Sequence, residues 1–498
     1  MNILLVYPKY PDTYWSFKHA LRFISKKAAV PPLGLITVSA MFPTTWQKKL
    51  VDMNVSALLT SDIVWADYVF ISAMYIQKES VNKIIEECMK HKVKIVAGGP
   101  LFTQEFDNYP QIDHFVLNEA EITLPIFLKD LDTGYPPEKI YNTDEYADIT
   151  LTTVPDFHLL SRKKYAFMNI QVSRGCPFAC DFCEITSLLG RKVRMKDSQQ
   201  VIKELEILYN LNWRGPVFIV DDNFIGNKKE IKNNLLPAMR KWMQIHKYPF
   251  TFNTQTSINL ADDEELMSMM IETGFSSTFI GIETPEEKTL IDCNKVQNKN
   301  RDMLQSVRKI QKAGLQVSGG FIVGFDSDSP PIFQRQIDFI QQSGIVSAMV
   351  GLLNAPKNTK LYQRLESENR LTTDATGSNT DLSMNFIPKM NYPELLKGYK
   401  TIIQNIYSAK PYYKRIRQFF LNYKRQHSRK KKIEFSYLSA FIKSIIIIGI
   451  VNKGRREYWK FLIWTLLRRP GLFIDAIIFS VYGYHYRTVY GLRGKNTY

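Results

Sequence analysis

Cysteine is scarce in this 498-residue chain: there are five, three of them crowded at Cys176, Cys180 and Cys183. The even, dispersed set that staples a secreted protein is absent, which excludes a disulfide framework and fits a reducing cytoplasm. Long apolar runs are missing too. Ser444 to Val451 is interrupted on both sides by Lys443 and Lys453, and Leu472 to Tyr484 carries Asp475, so neither approaches the ~20 residues of a bilayer span. The N-terminus, Met1-Asn-Ile-Leu-Leu-Val-Tyr-Pro, has no charged start, apolar core or cleavage site of a signal peptide. Gly (24) and Pro (23) are at ordinary levels beside 45% hydrophobic and 23% charged residues, which excludes collagen-like and wholly disordered classes. Arg429 to Lys432 is a short low-complexity patch.

Acid is short in one region only. The chain holds 65 Lys and Arg against 48 Asp and Glu, yet Ser408 to Tyr498 contains twenty of the former and three of the latter, Glu434, Glu457 and Asp475. The first 407 residues are therefore balanced, and the whole +17 belongs to the last 91 residues. A neutral body with a basic module points to an anionic partner, membrane surface or nucleic acid.

The length exceeds one hydrophobic core and predicts several domains. Apolar runs at Ile3 to Val6, Tyr68 to Ser72, Lys94 to Ala97 and Phe115 to Leu117 alternate with helical stretches such as Lys78 to His91. That rhythm predicts an α/β, doubly wound parallel sheet over 1–135. A Pro-, Asp- and Thr-rich linker is expected over 136–164. Six further strands are predicted at Asn169 to Val172, Val217 to Asp221, Thr251 to Gln255, Thr278 to Ile282, Val317 to Val323 and Ala348 to Leu352. Six βα units within 165–370 predict a partial TIM-like (β/α)6 barrel, with its chemistry at the C-terminal ends of the strands and one side open to a large substrate. From 371 to 498 the pattern is helical and basic.

The segment Ser173-Arg-Gly-Cys-Pro-Phe-Ala-Cys-Asp-Phe-Cys follows the first barrel strand. Three soft thiolates there can hold an iron-sulfur cubane and leave its fourth iron open to a ligand, the arrangement of a catalytic rather than a storage centre. A zinc knuckle without a nearby fourth ligand, or three plain thiols, are the rival readings.

The spacing Cys-x3-Cys-x-aromatic-Cys, filled by Cys176, Cys180, Phe182 and Cys183, resembles the radical S-adenosylmethionine (SAM) enzymes. The resemblance implies a 4Fe-4S cluster and SAM, cleaved to a 5′-deoxyadenosyl radical that abstracts a substrate hydrogen, with an electron donor such as flavodoxin or ferredoxin as partner. It also implies SAM contacts from Asp221, Asp222 and Asn223 after the second barrel strand, Glu283 after the fourth, and Gly319 and Gly320 in the fifth. Pro31-Pro32-Leu33-Gly34-Leu35, Ser72, Gly98-Gly99-Pro100 and Asn118-Glu119-Ala120-Glu121 resemble a cobalamin-binding domain. Ser72, Gly98, Gly99, Pro100 and Glu119 would then contact cobalamin. Where related domains place a cobalt-ligating histidine, this chain has Asp52-Met53-Asn54, which implies cobalamin held without a protein imidazole.

Domain order and basic tail most resemble the hopanoid methylase-like, cobalamin-binding branch. That implies methylation, or other functionalisation, of an unactivated carbon in a lipid or natural product. The alternatives are modification of RNA or protein, and radical C–C coupling or cyclisation without methyl transfer. Tyr412 to Phe420 and Arg455 to Arg469 interleave cations with aromatics, as in helices lying in a membrane interface. This favours a peripheral position on an anionic membrane over nucleic acid; a helical cap packed on the barrel is the third reading.

Overall fold

The computed structural model describes residues 1–134, 136–378, 381–424 and 435–492. Tyr135, the patch Arg429 to Lys432 and Glu434 lie outside the described residues.

The first sheet has six parallel strands in the order β2-β1-β3-β4-β5-β6. They are β1 Asn2–Tyr7, β2 Gln47–Asp52, β3 Tyr68–Ser72, β4 Lys94–Gly98, β5 His114–Val116 and β6 Ile140–Tyr141. In β1 all four central residues, Ile3 to Val6, are buried, because helices cover both faces of such a sheet. Among those helices are α1 (Lys78–Lys90) and α2 (Ala120–Thr133). Two strands have no apolar run to announce them. β2 is the edge strand Gln-Lys-Lys-Leu-Val-Asp, and β6 is two residues that pair with Phe115 and Val116. The stretch read as a linker from 136 thus contributes the sixth strand of the first sheet.

The second sheet runs β14-β13-β12-β11-β10-β7. Its strands are β7 Met168–Ile170, β10 Pro216–Ile219, β11 Thr251–Gln255, β12 Phe275–Glu283, β13 Gln316–Val323 and β14 Ala348–Leu352. All neighbours are parallel, and the intervening helices include α3 (Ser198–Asn210), α4 (Met303–Ala313) and α5 (Pro331–Ser343). β7 and β14 do not pair with each other, so the barrel is open. Between β7 and β10 sits a small antiparallel ribbon, β8 (Ser173–Arg174) and β9 (Arg194–Met195).

An open barrel leaves edge strands whose carbonyls need partners. The C-terminal helices α6 (Tyr392–Tyr407), α7 (Ala409–Asn422), α8 (Phe435–Ser444), α9 (Arg455–Arg468) and α10 (Phe473–Val489) answer that need at β14. Tyr407 and Tyr399 donate their hydroxyls to Ala348 O (2.6 Å) and Val350 O (3.2 Å). Arg415 reaches Ile406 O and Val346 O at 2.8 and 3.2 Å, and Tyr486 bonds Ser347 at 3.0 Å. Tyr14, from the segment after β1, stacks on Tyr486 with ring centroids 4.4 Å apart.

The reading of Tyr412 to Phe420 as a membrane-facing stretch is corrected here. Tyr412, Tyr413, Ile416, Phe419 and Phe420 are buried between α7 and its neighbours. Their rings pack on Phe461 of α9 and Phe479 of α10, and the helix rests on barrel helix α5.

Because the hydroxyl of Tyr412 donates to Phe479 O at 2.7 Å inside this core, Tyr412→Ala should destabilise the chain by about 3–5 kcal/mol. Chemical denaturation of the full-length protein checks this, and an unchanged midpoint would contradict the capping role.

Candidate functional site

Loops that follow β1 and β3 of the first sheet touch the second sheet and the cysteine loop. Trp15, after β1, donates its indole N–H to Met349 Sδ (3.0 Å) and packs edge-on against Phe279 (5.4 Å) in the barrel. Tyr75, after β3, bonds Gln104, which in turn donates to Glu184 at 3.4 Å, one residue past Cys183. The cysteine loop therefore lies between the sheets.

The loop is tied at its base. Arg174 pairs with Arg194 across the ribbon β8–β9, so residues 175–193 form a closed excursion. At its first turn Gly175 adopts φ +89°, and a Cβ there would stand 2.8 Å from Lys192 O and 2.9 Å from Gly190 O. Only glycine fits. Both ribbon arginines then bind the start of α2. Arg194 grips Glu119 with two bonds of 2.7 and 2.6 Å, and Arg174 grips Glu121 at 3.1 and 2.6 Å. Burial works against the charge of Glu121, yet the Arg174 guanidinium holds its carboxyl below the usual carboxylate range. Glu119 also accepts from Ala147 N at 2.8 Å; its carboxylate joins the two sheets rather than facing open space.

Cys176, Cys180 and Cys183 share one electrostatic neighbourhood with Lys295, because the thiols act on one another and the ammonium acts on them. Burial pushes the Cys183 thiol up to about 12, so binding of iron would displace protons. Among the described residues no three Cys, His, Asp or Glu side chains converge on the point of a single ion. A cubane of four irons is wider than an ion, and its ligands stand correspondingly further apart. Asn294 donates to Ala179 O at 2.8 Å and Gln297 to Cys180 Sγ at 3.6 Å. Gln297 Oε1 is buried without a partner, as suits a polar group docking beside the loop. Phe182 lies edge-on to Phe325 (5.9 Å) and under the Lys295 ammonium (5.9 Å).

Glu283, at φ +62° on the end of β12, binds Lys295 at 2.7 Å. Burial disfavours the ammonium, but Glu283 and the Cys180 thiol keep its pKa above the ordinary value. Asp221 is fully buried, accepting from Val172 N (2.8 Å) and Ser173 Oγ (2.6 Å); it fixes the approach to the loop. Asn223 accepts from Ser257 N at 3.1 Å. It lines a cavity of about 610 Å³ shared with Pro177, Phe178, Lys192, Lys228 and Asn259. Asp222 is pushed up to about 7 by burial and by Asp221. Gly319 and Gly320 are paired with Ile280 and Gly281 on one side and with Ala348 and Met349 on the other.

In the first domain, Ser72 and Gly98 are in register on β3 and β4. Gly99 follows at φ +87°, where a Cβ would meet Ser72 Oγ at 2.7 Å, and Pro100 opens the next short helix. Asn54 binds Pro8 O, Tyr10 N and Asp52. It ties two loops of the sheet edge together with no imidazole at that position. Trp15, Gln104, Arg174, Arg194 and Lys295 were not anticipated from sequence; each meets its partner from another segment.

This arrangement, a cysteine loop at the mouth of a parallel partial barrel, defines the radical SAM superfamily, whose sequence profile matches residues 170–339. Residues 359–495 match a "Domain of unknown function (DUF4070)". The chain is 38% identical over 98% of its length to "Uncharacterized methyltransferase sll1242" of Synechocystis, covering 91% of that protein. It is 31% identical over 94% of its length to the "Hopanoid C-2 methylase" of Rhodopseudomonas palustris, covering 90%. The chain belongs to this family of radical SAM methyltransferases. Its fold is shared by the cobalamin-dependent enzyme OxsB (TM-score 0.62, 15% identity, 98% of this chain and 79% of that one). The methyltransferase TsrM of Kitasatospora setae shares it also (TM-score 0.61, 14% identity, 80% and 85%).

A carboxyl that holds its proton more tightly folded than unfolded loses stability as pH rises from its ordinary value, 3.8 for Asp222, to about 7. Asp222→Asn should remove that loss. Thermal melts of ligand-free protein should coincide well below pH 3.8 and favour the variant at pH 8 by on the order of 4 kcal/mol. Parallel pH profiles would contradict the burial of this charge.

Proposed function

We propose that the chain methylates an unactivated carbon of a lipid-like substrate, using a 4Fe-4S cluster, SAM and cobalamin held between its two sheets. The observation that carries the reading is the tie between the cysteine loop and the edge of the first sheet through Glu119, Glu121, Arg174 and Arg194. It fixes two cofactor regions against each other. The lipid class is supported by the 31% identity to a hopanoid methylase.

When bound, the cluster supplies the electron that splits SAM to a 5′-deoxyadenosyl radical, and cobalamin supplies the methyl group. Cys176, Cys180 and Cys183 would hold the cluster. Asp222, whose charge is destabilised in the free protein, would gain a partner in the ammonium of SAM, and Asn223 and Glu283 would line the same face. Lys295 pairs with Glu283 and would offset the negative charge of the thiolates once the cluster is bound. Ser72, Gly98, Gly99 and Pro100 would receive cobalamin, and Asn54 stands where related domains place an imidazole. Trp15, Phe279 and Met349 bridge the two sheets. Enzymes of this kind take the electron from a reductant such as flavodoxin or ferredoxin.

Protein loaded anaerobically with cobalamin should retain it, and its Co(II) electron paramagnetic resonance should lack splitting from a histidine nitrogen. Given SAM labelled in the methyl group, a reductant and a total lipid extract, it should place label in a lipid carbon. Label in RNA or protein instead, or a coupled or cyclised product without label, would overturn the reading.

A further inference from the structure

α9 is apolar on two opposite faces. Tyr458, Phe461, Leu462 and Thr465 are buried against the C-terminal bundle, while Ile463, Leu466 and Leu467 point away from it and are 55, 51 and 77% exposed. An ordinary surface helix shows a polar outer face. The adjoining α8 and its continuation, Ile445–Val451, repeat the anomaly. Leu438, Ile442, Ile446 and Ile450 are all exposed, and their spacing of four residues sets them in one line along the helix surface. Val451 and Trp459, at the facing ends of the two elements, extend the same ridge. Exposed Lys453, Arg455, Arg456, Lys460 and Arg468 flank it, with one acid, Glu457, already paired to Lys460 at 3.2 Å.

We propose that this ridge docks in the plane of a bilayer carrying anionic headgroups, with the leucines and isoleucines in the acyl boundary and the flanking cations at the phosphates. The charge selects the occupant. A second copy would bring like-charged flanks together, and nucleic acid would offer nothing to the aliphatic line. No helix among the described residues is long and apolar enough to cross a membrane, so the contact is one of lying on the surface. The face is distinct from that of α7, whose aromatics are buried against Phe461 and Phe479. The proposal concerns where the enzyme works and stands apart from methyl transfer.

Full-length protein is sedimented with vesicles of phosphatidylcholine alone and of phosphatidylcholine with phosphatidylglycerol. It should bind the anionic vesicles roughly tenfold more tightly or better, and lose the difference in high salt. The triple variant Ile463→Ser, Leu466→Ser, Leu467→Ser changes exposed positions only; it should keep its melting temperature and its cleavage of SAM while losing vesicle binding. Arg455→Glu with Arg456→Glu should abolish the preference for anionic lipid. Three results would overturn the proposal: no binding to anionic vesicles at low salt, undiminished binding by the serine variant, or a lipid-free dimer that the serine variant dissolves.

Discussion

Two arginines and two glutamates hold the catalytic loop where it is. Arg174 and Arg194 face each other across a two-stranded ribbon that closes the cysteine excursion, and both reach from the barrel to the first turn of α2. Buried pairs of this kind add little net stability, because desolvation offsets attraction, but removing one partner strands a charge and costs about 3–5 kcal/mol. Their contribution is orientation. The cysteine loop cannot drift from the edge of the first sheet without unpairing four charges, and the space between the sheets is thereby defined.

Two edges shape the remainder. The six-stranded barrel is open, so β14 needs cover, and tyrosine hydroxyls from α6 supply it at the carbonyls of Ala348 and Val350. Midway along the strands, Trp15 is carried from the segment after β1 onto Phe279 and Met349. The first-sheet edge lies on one side and the cysteine loop on the other, with Trp15 bridging the two sheets beside them.

The strands of the second sheet were legible in the sequence as short strand-like segments between helical stretches, Thr251–Gln255, with alternate residues buried, and Ala348–Leu352 to the residue. β2 was not, because the edge strand reads Gln-Lys-Lys-Leu-Val-Asp and its lysines are accommodated by ion pairs with Asp156 and Asp62, which lie outside the strand. The cysteine triplet announces itself by spacing alone. The clamp does not: Arg194 and Glu119 are 75 residues apart, and no local pattern links them. Lys295 is similarly silent, a lysine in a loop that becomes significant only beside Glu283 and the thiols. In the tail, periodicity revealed apolar faces but not what they meet. The face of α7 meets α9 and α10, whereas α9 keeps a second apolar face outside.

The central claim is that the triplet loop is a site of reductive SAM cleavage. Full-length protein reconstituted anaerobically with iron and sulfide, then given SAM and dithionite, is assayed by chromatography for 5′-deoxyadenosine. The wild type and the Cys88→Ala and Cys293→Ala variants should form it, and Cys176→Ala, Cys180→Ala and Cys183→Ala should lose both the broad iron-sulfur absorbance and the product. A triplet variant that keeps its cluster and still forms 5′-deoxyadenosine, or a wild type that holds a cluster and forms none, would contradict the account.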